Sequence, residues 1–260
     1  IVFAEGEEDK IIRAAAQVRE EGIGIPILVG RKEVICERIT DLGLHYELDV
    51  VDPRDSARHA DYAQALHELR KRKGVSLRHA KKLVLRRQYY APLMIKMGDA
   101  DAVVSGLTDD YPEIIRPALQ IHHTQPGAKI AAGVYIVIVG ERVYLFADAT
   151  VNIDPSSEDL AEIALLAAGF ARQLGLSPRV ALLSFSNFGS APHPFSDKVR
   201  QAVEILHEKA PDLPADGEMQ ADTALLPRLI EQRYPFSKVK DANVLVFPSL
   251  ESANIAYKLS

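Results

Sequence analysis

Residues 179–209 read Arg179-Val-Ala-Leu-Leu-Ser-Phe-Ser-Asn-Phe-Gly-Ser-Ala-Pro-His-Pro-Phe-Ser-Asp-Lys-Val-Arg-Gln-Ala-Val-Glu-Ile-Leu-His-Glu-Lys209. The first six residues form a short apolar run of the kind that makes a buried parallel strand. A loop with one glycine follows, rich in hydroxyls and amide hydrogens. The pattern then turns helical from Ser196, which can cap, with Asp197 in the first turn and Val199, Ala202, Val203 and Leu206 on one face. Such a strand–loop–helix points free backbone N–H groups at the carboxyl edge of a sheet, where an anion such as a phosphate can be held. An ordinary βα turn without a ligand has the same signature.

Outward from this unit, strands and helices alternate. Strands are predicted over 1–4, 26–29, 47–51, 102–105, 130–139, 143–147, 180–185 and 244–247. Helices are predicted over 9–21, 31–42, 56–73, 76–97, 111–122, 157–174, 197–210 and 222–234. Gly140-Glu-Arg142 joins two of the strands as a hairpin. Strands separated by helices of this length predict an α/β protein of three layers, α/β/α, with mainly parallel sheets. The hairpin predicts a boundary between two lobes, 1–147 and 148–260, with a cleft between them.

Composition excludes several classes. The chain has 260 residues, room for two modest domains, with a net charge of −5 that argues against a nucleic-acid partner. One cysteine, Cys36, rules out an internal disulfide and a cysteine-rich zinc site, and fits a reducing cytoplasm. No apolar stretch is long enough for a membrane span. Histidines 45, 59, 67, 79, 122, 123, 193 and 207 show no spacing of the kind that binds zinc. The sequence opens inside an apparent strand without methionine and stops inside an apparent helix, which predicts a piece of a larger protein.

Several residues invite a ligand. Ser105 and Gly106 end the strand within Gly98-Asp-Ala-Asp-Ala-Val-Val-Ser-Gly106, where backbone can approach a ligand closely. Arg116 can grip a phosphate through its planar fork, or pair with Asp109, Asp110 or Glu113 at the surface. Leu69-Arg-Lys-Arg-Lys-Gly74 offers four adjacent cations, a pattern also common at solvated helix ends. Asp216-Gly-Glu-Met-Gln-Ala-Asp222 gathers three carboxylates that can bind a metal or act as a base, although Asp222 also suits a helix cap.

Together these segments resemble the phosphate acetyltransferase family. The matching pieces are Val2-Phe-Ala-Glu-Gly6, Leu69-Arg70-Lys71 through Lys73-Gly74, the 98–106 strand and Arg116-Pro-Ala-Leu-Gln-Ile121. They continue with Phe146-Ala-Asp148, Val151-Asn152, Arg179 to Ser186, Ala210-Pro-Asp-Leu213, Asp216-Gly-Glu218 and Asp222. Ala242-Asn-Val-Leu-Val-Phe-Pro248, Asn254-Ile255 and Tyr257-Lys-Leu259 complete the series.

Departures set the expected function. The family's catalytic serine, arginine and aspartate lie beyond its Tyr-Lys-Leu, where this sequence stops. Asp109 and Asp110 stand where transferases have paired threonines, and would repel acetyl phosphate and offset Arg116. Ala149 replaces a cysteine. Ser186-Asn-Phe-Gly-Ser190 replaces the transferase loop and is similar to the C-terminal domain of hybrid NADP-dependent malic enzymes.

The resemblance therefore implies a regulatory acetyl-CoA-binding domain, itself without catalytic residues or metal, linked to a malic enzyme part that alone would use NADP and a divalent metal. Acetyl-CoA is the expected ligand, bound in the cleft. Arg70 and Arg116 would meet its phosphates. Ser184, Ser186, Asn187 and the amides of Phe188, Gly189 and Ser190 would hold its nucleotide or acyl end, with Ser105, Gly106, Asp216, Glu218 and Asp222 completing the site. The alternatives are an active phosphate acetyltransferase and a structural dimerisation domain. In any of the three, the apolar helix 160–174 can carry a two-fold interface of a homodimer or higher homo-oligomer.

Overall fold

The computed structural model describes residues 1–44 and 46–260, and His45 lies outside them. Two compact units divide the chain, Ile1–His123 and Thr124–Ser260.

The first unit runs β1 (Val2–Phe3), α1 (Asp9–Glu20), β2 (Ile27–Val29), α2 (Lys32–Asp41), β3 (Asp49–Val51), α3 (His59–Arg70), α4 (Leu77–Leu83), α5 (Arg87–Lys96), β4 (Val103–Val104) and α6 (Tyr111–His122). Its four strands pair in parallel in the order β3-β2-β1-β4. The period-2 alternation of a strand explains the two faces. Val2 and Ala4 enter a core with Tyr62, Leu66, Tyr90 and Leu93, whereas Phe3 and Leu28 pack on Ile12, Ala15 and Ile35. Both faces are thus covered by helices, as all-parallel sheets require.

The second unit runs β5 (Val134–Val139), β6 (Arg142–Ala147), α7 (Ser157–Gln173), β7 (Val180–Leu183), α8 (Pro194–Lys209), β8 (Ala215–Met219), α9 (Ala221–Leu225), α10 (Pro227–Arg233), β9 (Val244–Val246) and α11 (Leu250–Leu259). The sheet order is β5-β6-β9-β7-β8, with only β5 antiparallel. Val180 and Leu182 face α7 and α8, while Ala181 and Leu183 join Met219, Ala224, Ile230 and Ala253 on the other side. The fold is α/β, with mainly parallel sheets.

Four local expectations change. The division falls after His123 rather than after Ala147, because β6 pairs with β9 through Leu145, Phe146 and Ala147 and carries the hairpin into the second sheet. Strand β8 occupies Ala-Asp-Gly-Glu-Met, a stretch for which no strand is predicted. Gly217 is required there: its φ is +152°, and a Cβ would lie 2.6 Å from the Leu182 carbonyl oxygen. The helix predicted over 222–234 breaks into α9 and α10 at Leu226, which the following Pro227 pushes to the extended region. The one predicted over 76–97 turns at Arg86, so that Ala80 and Val84 of one segment and Tyr89, Tyr90 and Leu93 of the next reach the same core.

Helix α7 places Leu160, Ala161, Ile163, Ala164, Ala167, Ala168 and Ala171 in its own unit's core, so most of its apolar face is covered within the unit. No helix among the described residues is long and apolar enough to cross a membrane.

Candidate functional site

In the first unit the site is built at the carboxyl ends of β1 and β4. Glu5, one residue past Ala4, is fully buried and ends in a ring of donors from the loop after β4. The amides of Gly106 (2.8 Å) and Leu107 (3.1 Å) reach one carboxylate oxygen, and those of Thr108 (2.7 Å) and Asp109 (3.3 Å) the other. The Thr108 hydroxyl adds a fifth bond at 3.1 Å. Burial alone pushes this carboxyl up. The amides of Thr108, Leu107 and Gly106 and the Thr108 hydroxyl outweigh it together and hold the group down at about 2. The loop is an anion nest whose anion is the protein's own. The Gly106 amide is therefore already engaged, while the buried Ser105 hydroxyl has no partner among the described residues.

The same loop presents Asp109 to Arg87, not to Arg116. Arg87 donates Nε at 3.1 Å and Nη2 at 2.9 Å to the two oxygens of Asp109, and Gln88 adds a bond of 2.8 Å. Glu113 lies 3.9 Å from Arg86. Among the described residues Arg116 has no ion pair, so the surface pairing open to it in the sequence is not formed. Instead Arg116, on α6, lines a groove of about 400 Å³ with Arg70, the last residue of α3. Pro112, Ile115, Leu119 and Gln120 complete its walls. Arg70 Nε is buried and has no partner among the described residues. A second depression of about 140 Å³ shares Pro112 and Arg116 and adds Arg86. Two guanidinium groups free of carboxylates in one groove suit an anion with several oxygens.

In the second unit the loop after β7 folds on itself. Helix α8 starts at Pro194, three residues before the predicted 197–210, with His193 as its cap and Ser196 buried in its first turn. Within the loop the Asn187 amide donates to Ser190 Oγ (2.9 Å) and the Ser190 amide to the Asn187 carbonyl (3.0 Å). The Phe188 amide reaches the Glu218 carbonyl (2.8 Å), and the Gly189 amide reaches Glu218 Oε1 (2.6 Å). Ser186, fully buried, donates its hydroxyl to the same Oε1 at 2.8 Å. Ser184 Oγ accepts from the Ser186 amide at 3.4 Å. The amides expected to cradle a ligand thus donate to partners inside the protein. Glu218 Oε2 is buried and unpartnered.

The three carboxylates of 216–222 separate. Asp216 accepts from Ser237 Oγ (2.7 Å) and the Lys238 amide (3.1 Å), partners it does not share with Glu218. Asp222 accepts from the next amide, Thr223, at 2.8 Å. Among the described residues no three His, Cys, Asp or Glu side chains are grouped to hold a metal ion.

Asp148, at the end of β6, organises a third nest. Its carboxylate accepts from the amides of Gly133 (3.1 Å), Thr150 (2.8 Å), Val151 (3.0 Å) and Asn152 (2.8 Å). The roles of Glu5 and Arg87 were not readable from spacing, since their partners lie 101 and 22 residues away. Glu5 and Asp148 do stand inside segments that carry the family resemblance. The predicted residues form two sets, Arg70, Ser105, Gly106 and Arg116 in one unit and Ser184–Ser190 with Asp216, Glu218 and Asp222 in the other.

The phosphate acetyl/butaryl transferase family model matches residues 1–260. The chain belongs to that family. It is 41% identical over 262 residues to a phosphate acetyltransferase of Bacillus subtilis, covering 100% of this chain and 81% of that protein. It is 37% identical over 265 residues to the NADP-dependent malic enzyme of Escherichia coli, of which it covers 35%. A crystal structure of a phosphotransacetylase from Streptococcus pyogenes superposes with a TM-score of 0.93 at 39% identity, covering 100% of this chain and 80% of that one. Membership of the phosphate acetyl/butaryl transferase family accounts for the order of the matched segments from Val2 to Leu259.

Proposed function

We propose that this chain is a phosphate acetyltransferase module, moving an acetyl group between CoA and phosphate. The observation that carries this reading is the grip of Arg87 on Asp109. One of the sequence arguments for a non-catalytic domain, beside the position of the family's catalytic residues beyond Tyr-Lys-Leu, Ala149 and the 186–190 loop, is that carboxylates at 109 and 110 repel acetyl phosphate. Asp109 is neutralised by a bidentate guanidinium and turned to Gln88, leaving Arg116 free beside Arg70. In the reaction the CoA thiolate attacks the acetyl carbonyl carbon. The C–S bond forms, the C–O bond to phosphorus breaks, and the electron pair leaves with inorganic phosphate. Arg70 and Arg116 hold phosphate oxygens, which positions the acyl phosphate and draws charge toward the leaving group. Relatives named phosphate acetyltransferase at 41% and 43% identity over the whole chain support the same reading.

A second reading keeps the module as an acetyl-CoA-binding regulator of a linked, cytoplasmic NADP-dependent malic enzyme, in a homo-oligomer. One observation favours it: the chain is 37% identical over 265 residues to the NADP-dependent malic enzyme of Escherichia coli. The deciding experiment mixes the protein with acetyl-CoA and phosphate and follows acetyl phosphate. Turnover of roughly 1 per second or more supports the transferase. Calorimetric binding of acetyl-CoA without turnover supports the regulator instead.

A further inference from the structure

The charge of this protein is distributed unevenly. Nine of its 31 Lys and Arg fall between Arg70 and Arg87, with no Asp or Glu among them. The net charge is −5 and this segment alone carries +9, so the remainder carries −14. The segment contains the turn at Lys71–Lys73, helix α4 and the start of α5. Three of its cations have partners: Lys71 pairs with Glu68, Arg86 with Glu113 and Arg87 with Asp109. Arg72, Lys73, Arg78, Lys81 and Lys82 are exposed and have no ion pair among the described residues. Arg70, the sixth without a pair, opens the segment and lines the groove with Arg116.

We infer that the exposed cations of 72–82 form a capture surface for a small polyanion of the phosphate-ester class, such as acetyl-CoA, delivering it to Arg70 and Arg116 without touching it once bound. This rests on the reading that a CoA ester is the ligand of that groove. Unpaired exposed charges add little to stability, yet their summed field can raise an association rate by ten to a thousandfold. The field fades over about 10 Å at 0.1 M salt. A compact ligand remains within reach of the patch, whereas an extended nucleic acid would also meet the negative remainder of the surface.

The test is rapid-mixing measurement of acetyl-CoA association and dissociation, from about 20 to about 500 mM salt. The protein is compared with the variant Lys73→Gln/Arg78→Gln/Lys81→Gln/Lys82→Gln and with Arg116→Ala. The quadruple variant should associate about tenfold more slowly at low salt, match the unmodified protein at high salt, and dissociate at an unchanged rate. Arg116→Ala should instead dissociate faster. An association rate and salt slope unchanged in the quadruple variant would overturn the capture surface while leaving the ligand reading intact. So would faster dissociation in that variant, which would mean bound-state contacts. Failure of the unmodified protein to bind acetyl-CoA at any salt would overturn the ligand reading and this inference with it. A single-stranded oligonucleotide binding more tightly than acetyl-CoA would reassign the patch to nucleic acid.

Discussion

Arg116, on α6, follows Asp109 by seven residues, and the sequence left a surface pair between them open. The structure resolves this through Arg87, which takes both oxygens of Asp109 and leaves Arg116 to the groove. If Arg116 makes a charge-assisted bond to a phosphate, Arg116→Ala should weaken acetyl-CoA by about 1.5–3 kcal/mol in calorimetry. Arg38→Ala is the control, because it breaks only an exposed pair with Asp9 at 3.0 Å. Equal and negligible losses in both would leave Arg116 a surface residue. Gly189 makes a different case. Its φ is +84°, yet a Cβ there would meet nothing within 4 Å. Gly189→Val should therefore act through backbone strain, not by filling space, since a β-branched residue resists that region. The expected result is a loosened grip on Glu218, lower acetyl-CoA affinity and a circular dichroism spectrum that does not change.

At the scale of elements, loops at the ends of neighbouring strands close on carboxylates. Glu5 after β1 holds the loop after β4, and Glu218 of β8 holds the loop after β7. Glu5 lies well below the ordinary carboxylate range, at about 2. A depressed folded-state value contributes stability that is full above about 4.5 and is lost as pH falls toward 2. The gap corresponds to up to about 3 kcal/mol. Glu5→Gln should lower stability at pH 7 by up to that amount, with the two stability curves converging between pH 4.5 and 2. Denaturant melts across that range decide it: parallel curves would mean that Glu5 is not the titrating group. These pairings also mark what the sequence could show. The apolar strands β7 and β9 and the amphipathic helices α1, α7 and α8 were legible because one residue type recurs at the period of the element. Strand β8 was not, since the donors that satisfy Asp216 and Glu218, Ser237 and Ser186, lie 21 and 32 residues away and meet them only after folding. For the same reason the loop 184–190 looked like an open cradle: its anion, Glu218, lies 29 residues beyond Gly189. Arg70 and Arg116 were named for phosphate and do share a groove, because their elements α3 and α6 flank one face of the first sheet.

At the scale of the whole chain, each unit has a complete sheet with apolar clusters on both faces. The clusters around Tyr62 and Ile12 draw only on residues before Thr124. Those around Leu182 and Leu245 draw only on residues after it. The connection has little to protect it: His123, Thr124, Gln125, Pro126, Gly127 and Lys129 are all exposed. Such an exposed segment, joining two units with their own cores, is where a protease gains access without unfolding either. Limited trypsin digestion should cut first after Lys129 and give two persistent fragments, one on each side. Arg142, at the hairpin, is exposed as well, but it lies in β6, whose partners Leu145–Ala147 are bonded into the second sheet. A boundary after Ala147 would instead predict early cleavage after Arg142 and a first fragment that keeps β5. Mass spectrometry of the earliest products separates the two. Cleavage at Lys129 ahead of Arg142 would confirm that the hairpin folds with the second unit, and the reverse order would return it to the first.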